Sequence, residues 1–219
     1  SWFNQLLDLN ESIFGPLEYL LVGGERLSPK HILKVRNLYP DLKVINGYGP
    51  TENTTFSICH QIDGDYEADI PLGRPIAQSE VYILNKHQQL QPQGIPGELY
   101  LGGDGLALGY LNNPSLTQTK FVEIELCGKL TRLYKSGDWG YWDEKGLVRF
   151  LDRRDRQVKL RGFRIELSEI EQAVQNHEAV GSACVQLLGQ GKDKKIIAWY
   201  TGQAENTSLR QYLKGCLPD

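Results

Sequence analysis

Leu17-Glu-Tyr-Leu-Leu-Val22-Gly23-Gly24-Glu-Arg-Leu-Ser28-Pro29-Lys-His-Ile32-Leu33-Lys-Val35-Arg-Asn-Leu38-Tyr-Pro-Asp-Leu42-Lys-Val-Ile45 carries the grammar of the fold. Leu17 to Val22 is an apolar run of strand length that stops at a glycine pair. Ser28-Pro29 is a helix start, because a serine can cap the first free N–H groups and a proline fits the first turn. Ile32, Leu33, Val35 and Leu38 follow at helical spacing. Leu42 to Ile45 is the next strand. Strand, helix, strand at this spacing predicts a βαβ unit and a parallel sheet.

Outward from that unit the character changes. On the N-terminal side, Trp2-Phe3-Asn4-Gln5-Leu6-Leu7 is amphipathic. From about Ile70 to Trp142 the strands are short and broken by glycine and proline: Val81–Leu84, Gly97–Leu101, Leu130–Tyr134. That pattern predicts a small, distorted β-barrel or antiparallel sheet. Leu147 to Leu151 reads as a strand that runs into the charged string Asp152-Arg153-Arg154-Asp155-Arg156. Beyond it come a strand at Gln157–Leu160, a helix over Ser168–His177, a strand pair at Ala183–Leu188 and Lys195–Tyr200, and a helix over Ser208–Cys216. The expected fold class is α/β: the end of a parallel αβ layer, then the small distorted barrel, then a compact α+β C-terminal subdomain. The expected domains are 1–154 and 155–219.

Composition narrows the function classes. The chain has 219 residues, 40% of them hydrophobic and 23% charged, enough to bury a core. A net charge of −3 gives no reason to expect nucleic acid or an anionic membrane as partner. The four cysteines, Cys59, Cys127, Cys184 and Cys216, lie far apart without metal-ligand spacing. Reduced and mostly buried thiols in a cytoplasmic protein are expected. There is no apolar run of membrane-spanning length.

Four stretches carry candidate chemistry. In Asn46-Gly-Tyr-Gly-Pro-Thr-Glu52 a strand ends in a glycine-containing turn, and ligand sites in α/β sheets lie at such strand ends. Tyr48 offers an aromatic face, Thr51 a hydroxyl and Glu52 a hard carboxylate suited to Mg²⁺. Chemistry alone leaves a tight structural loop and a nucleotide site equally open. The glycine-rich Gly97 to Tyr110 reads as a bulged sheet, since no Lys-Ser/Thr ending marks a phosphate-binding loop. Asp138 in Tyr134-Lys-Ser-Gly-Asp138 could chelate ribose hydroxyls or close its own turn. Asp155 to Glu166, with its cations Arg156, Lys159, Arg161 and Arg164, is either a solvated strand–loop or a hinge with a basic loop.

In this order the four stretches resemble the adenylation domains of nonribosomal peptide synthetases, within the adenylate-forming superfamily that also holds acyl-CoA synthetases and luciferases. Arg161-Gly-Phe-Arg-Ile-Glu-Leu-Ser-Glu-Ile-Glu171 favours the peptide-synthetase branch. The resemblance implies ATP-dependent activation of an amino or related carboxylic acid as an acyl-adenylate. The acyl group then passes to the phosphopantetheine thiol of a peptidyl carrier domain, with neighbouring synthetase domains as further partners. It implies that Asn46 bonds the adenine amine, Tyr48 stacks on the base with Gly49 beside it, and Thr51 touches the α-phosphate. Glu52 would hold Mg²⁺. Asp138 would bind the ribose, assisted by Arg153, and Asp155 would be the hinge, with Lys159 in a supporting place. The substrate side chain would meet Leu21, Gly23, Gly47, Thr55 and Phe56, and the two glycines suggest room for a large group.

The chain departs from the family pattern at Leu108, Asp152 and Ser168, where Arg, Gly and Gly are usual; none of these removes a ligand-binding group. The family's phosphate loop, its amine-gripping Asp and its catalytic lysine have no counterpart here. The expectation is therefore a fragment with no assigned catalytic residue, which alone makes little adenylate. Alternatives from the same residues are an acyl- or aryl-CoA ligase, and a non-catalytic nucleotide-binding or carrier-docking fragment.

Overall fold

A computed structural model describes residues 2–160, 163–189 and 193–218. Arg161 of the basic loop and Asp219 lie outside the described residues. Two compact units part between Asp155 and Arg156.

The first unit begins with α1 (Trp2–Leu9), whose Phe3 and Leu7 are buried. Strand β1 (Tyr19–Gly23), helix α2 (Pro29–Leu38) and strand β2 (Lys43–Tyr48) form the expected βαβ unit. β1 and β2 run parallel, with Val22 opposite Asn46 and Gly23 opposite Gly47. Ser28 precedes α2 in extended conformation, but its side chain makes no cap. Its hydroxyl instead meets His31 Nδ1 at 2.8 Å. Ile32 and Val35 face the core with Leu7, Val22 and Val44, while Leu33 and Leu38 are exposed. Each such buried side chain contributes about 1.5–3 kcal/mol. The sheet then turns antiparallel: β3 (Ile58–Gln61) pairs with β2, and β4 (Arg74–Pro75) pairs with β3.

The second sheet holds β5 (Ser79–Leu84), β6 (Gly97–Gly103), β7 (Phe121–Leu126), β8 (Lys129–Trp142) and β9 (Val148–Arg153), with the short helix α3 (Pro114–Lys120) before β7. The barrel expected from the glycine-punctuated strands is not formed. The order is β5-β6-β8-β7 with β9 also on β8, and no sheet closes on itself. The reason is the length of β8, which spans 14 residues. Its first part pairs with β7 and its later part with β9, so β8 takes two partners along one edge. β5 and β7 stay as separate edges. Between those two parts the β6–β8 register shifts, from Tyr100 opposite Lys135 to Glu98 opposite Trp139. The bulge so formed carries Ser136, Gly137 and Asp138; bulges re-aim side chains in this way.

The second unit pairs β10 (Gln157–Leu160) with β11 (Phe163–Glu166), followed by α4 (Leu167–Gln175). β12 (Val180–Leu188) pairs with β13 (Lys195–Gly202), and α5 (Asn206–Cys216) closes the unit. Leu167, Val174, Val185 and Leu209 are its buried apolar side chains. The Arg156 guanidinium grips Glu171 with both terminal nitrogens, the Nη2–Oε2 bond being 2.6 Å. The same two side chains reach β12: Val185 N–H donates to Glu171 Oε2 at 2.8 Å, and Arg156 Nη2 donates to the Val185 carbonyl at 3.0 Å. An otherwise open strand edge is thus saturated at this point. Arg156, with the Val185 N–H, holds the Glu171 carboxyl down at about 2, below the ordinary 4.5. The pair therefore stabilises the folded unit above pH 4.5 and loses that contribution as pH falls toward about 2. Glu171→Gln is expected to flatten that part of the acid-unfolding profile, most visibly at low salt, where this exposed pair is least screened. An unchanged profile would contradict it.

The described cysteines form no disulfide. Cys59 is half-buried, and Cys127, Cys184 and Cys216 are exposed, contrary to the buried thiols expected from sequence.

Candidate functional site

Strand β2 delivers Asn46, Gly47 and Tyr48 to its C-terminal end. Asn46 is buried, and its amide nitrogen donates to the Pro71 carbonyl at 2.6 Å. That bond orients the amide and leaves its carbonyl oxygen as the group to accept from a ligand amine. Tyr48 donates its hydroxyl to Asp138 Oδ2 at 2.5 Å, joining residues 90 positions apart. Burial first, then the neighbouring Asp138 charge, pushes the Tyr48 hydroxyl well up, so it remains a donor.

Asp138 rises from the β8 bulge and is 5% exposed. Its Oδ1 accepts from Arg153 Nη1 at 2.8 Å. Arg153 also donates to the Ser136 carbonyl at 2.9 Å and grips Asp155 through Nε at 2.9 Å and Nη2 at 2.7 Å. Burial opposes the Arg153 charge, but Asp155 and Asp138 outweigh it and raise the guanidinium above its ordinary range. Tyr48, Asp138, Arg153 and Asp155 thus form one continuous chain of charge-assisted bonds. Gly137 makes room for it. Its φ is +78°, and a Cβ there would overlap Asp155 Oδ2. Arg154, next in line, lies 3.6 Å from the Trp139 ring centroid.

The turn after β2 is a single 3-10 turn, Thr51–Asn53. Thr51 is exposed and Glu52 is buried. Glu52 Oε1 accepts from the Tyr110 hydroxyl at 2.6 Å. Thr54 and Thr55 follow with φ of 45° and 61°, unfavourable for β-branched residues. The strain is held by Thr54 Oγ1 donating to the Gly105 carbonyl at 2.7 Å, and by Ser57 N–H donating to the Tyr48 carbonyl at 2.8 Å. The result aims the Phe56 ring back across β2. A Cβ added at Gly47 would meet that ring at 2.6 Å, and one at Gly23 would meet it at 3.1 Å. The space at Gly47 is therefore taken up by Phe56, while at Gly23 a Cβ would first overlap the Gly47 carbonyl oxygen of the paired strand, so that glycine reflects close strand packing and not open volume. Leu21 and Thr55 are exposed. Lys159 lies on β10 opposite Arg164, in the second unit.

Of the nucleotide residues expected from sequence, Tyr48, Asp138 and Arg153 are directly bonded, and Asn46 stands two residues before Tyr48 on the same strand. The Glu52–Tyr110 contact is not visible in the sequence, because Tyr110 closes a stretch that reads as bulged sheet. The one sign is Gly109, whose φ of +151° sets the loop that presents Tyr110. Among the described residues, no group of three or more His, Cys, Asp or Glu could hold a metal ion.

Known proteins are similar to this chain in sequence and architecture. The family described as AMP-binding enzyme matches residues 1–111. Gramicidin S synthase 2 of Brevibacillus brevis is 45% identical over 219 residues, covering 99% of this chain and 5% of the relative. Tyrocidine synthase 3 of Brevibacillus parabrevis is 48% identical over 198 residues, covering 90% of this chain and 3% of the relative. The chain therefore spans a small part of these relatives' length. Among solved structures, PA1221, an NRPS protein containing adenylation and PCP domains, superposes with a TM-score of 0.84 at 38% identity. That match covers 96% of this chain and 43% of PA1221. Its holo form, bound to a vinylsulfonamide inhibitor, gives a TM-score of 0.88 at 38% identity, with 99% and 38% covered.

Proposed function

This chain belongs to the AMP-binding enzymes, as an adenylation domain of the nonribosomal peptide synthetase type, and on that premise we propose that it supplies part of the site for ATP-dependent activation of a small carboxylic acid. The acid is an amino acid or a close relative. Its carboxylate oxygen attacks the α-phosphorus of ATP, the bond to the β-phosphate bridging oxygen breaks, and pyrophosphate leaves. The thiol of a carrier domain's phosphopantetheine then attacks the acyl carbon of the adenylate, and AMP leaves. The reading places the protein in the cytoplasm, and no described helix is long and apolar enough to cross a membrane.

The observation that carries this reading is the Tyr48–Asp138 bond at 2.5 Å. It brings an aromatic face and a buried carboxylate from distant segments to one point, as adenosine recognition needs. The Tyr48 ring stacks on the base, the Asn46 carbonyl accepts from the adenine amine, and the backbone at Gly49 passes close beside it. Asp138 accepts from the ribose hydroxyls with Arg153 holding the carboxylate in place, and the Thr51 hydroxyl meets the α-phosphate. Glu52 would hold Mg²⁺, which when bound neutralises charge on the phosphates. The substrate side chain lies among Leu21, Gly23, Gly47, Thr55 and Phe56. Asp155, at the end of the Arg153 bond network, is the hinge before the unit that starts with Arg156.

The test is ATP–pyrophosphate exchange by the full-length protein over a panel of acids, followed by acyl transfer to a carrier-domain thiol or to CoA. Exchange with an amino or related acid and transfer to the carrier thiol are expected. Transfer to CoA alone would favour an acyl-CoA ligase instead, and absence of exchange with every acid would count against activation altogether. Because Phe56 fills part of the pocket, Phe56→Ala is expected to shift preference by at least about tenfold toward larger acids, the scale of one to a few methylenes in an apolar pocket. An unshifted preference would show that Phe56 does not line the site.

A further inference from the structure

Glu52, as the carboxylate for the nucleotide's divalent cation, is the premise of a second assignment that rests on the proposed function. The loop between β6 and α3 is fastened to the Glu52 turn at several points. Ala107 N–H donates to the Glu52 carbonyl at 2.9 Å. Arg132 in turn donates to the Ala107 and Leu108 carbonyls at 2.9 and 2.7 Å. This loop ends at Tyr110, whose N–H donates to Thr117 Oγ1 at 2.9 Å and whose ring meets Phe121 edge-on at 5.6 Å. The residue before it has to be glycine: a Cβ at Gly109 would meet Thr117 Cγ2 at 2.5 Å, and its φ is +151°. So the Tyr110 ring is fixed on two sides before its hydroxyl reaches Glu52 Oε1 at 2.6 Å.

We propose that Tyr110 is a positioning residue for the cation: its hydroxyl fixes the plane of the Glu52 carboxylate and so the direction in which that group faces a metal on the ATP phosphates. The physical reasons are plain. A carboxylate rotates about its last bond, and one short, buried hydrogen bond from a rigid donor stops that rotation at little entropic cost. Groups that orient a metal-ligating side chain from behind usually contribute 10- to 100-fold to metal affinity.

The experiment uses the full-length protein, saturated with α,β-methylene-ATP, and tracks Mn²⁺ binding by electron paramagnetic resonance. Tyr110→Phe keeps the ring against Phe121 and removes only the hydroxyl. It is expected to raise the Mn²⁺ dissociation constant about tenfold. Glu52→Gln is expected to weaken binding at least as much, and the double variant to match Glu52→Gln alone, because the tyrosine acts through the carboxylate. Thr117→Val, which withdraws the acceptor of the Tyr110 N–H but keeps the hydroxyl, is expected to move affinity in the same direction by a smaller factor. Folding is checked by the unfolding midpoint of each variant. Unchanged Mn²⁺ affinity in Tyr110→Phe, or an equal loss in the Glu52→Gln background, overturns the role of Tyr110 while Glu52 stands. Unchanged affinity in Glu52→Gln overturns the reading of Glu52 itself.

Discussion

Asp138→Asn in the full-length protein is expected to weaken AMP binding by at least about tenfold, since a hydrogen bond to a charged group contributes about 1.5–3 kcal/mol. The same substitution should cost stability. Asp138 and Arg153 are well buried, with side chains 7% and 14% exposed. Removing one partner of a buried pair typically costs about 3–5 kcal/mol. Arg153 keeps Asp155 as a second carboxylate, bonded at 2.9 and 2.7 Å, so the lower end, about 3 kcal/mol, is expected. For a cooperative unit of about 150–250 residues that lowers the unfolding midpoint by roughly 6–12 °C. Calorimetry of the variant, with and without AMP, separates the two effects. A variant that melts like the parent would show that the Asp138–Arg153 bond does not hold the β8 bulge.

Tyr48 gives the second large effect, and here ring and hydroxyl divide. Tyr48→Ala removes the aromatic face, and stacking of a base on an aromatic side chain contributes about 1–3 kcal/mol. AMP affinity should fall by roughly 5- to 150-fold. Tyr48→Phe keeps the face and removes the donor to Asp138 Oδ2. It should leave stacking intact and cost about 1.5–3 kcal/mol of stability, because the lost bond is to a charged acceptor. Comparing the two variants isolates the stacking. Ala is the worse variant for nucleotide binding, whereas Phe has its main effect on the unfolding midpoint. Equal affinities in the two variants would argue against stacking at this position.

How far the sequence reaches is clearest at particular residues. The β1-α2-β2 unit is legible because Ser28-Pro29 marks a start and Ile32 and Val35 keep helical period, local signals that packing does not override. The expected barrel fails for a long-range reason. Short, glycine-broken strands announce an antiparallel sheet, but closure depends on whether the edge strands meet. Here β8 takes β7 and β9 along one edge, and β5 is left apart. The space at Gly47 is legible as a missing side chain. Its partial filling by Phe56 is not, because threonine gives no warning that Thr54 and Thr55 have positive φ. From its residues alone Asp138 stands open between turn residue and ligand group; the bonds from Arg153 and Tyr48 show what holds it. Tyr110 stays hidden inside a glycine-rich stretch because its partner, Glu52, lies 58 residues away.

The central claim is that the turn from Asn46 to Glu52 and the bulge at Asp138 make one adenosine site. The most direct test is a crystal structure of the full-length protein with AMP bound. The expected result is adenine on the Tyr48 ring, its amine toward the Asn46 carbonyl, and ribose hydroxyls within hydrogen-bond distance of Asp138. AMP bound elsewhere, with Tyr48 and Asp138 untouched, would contradict the account.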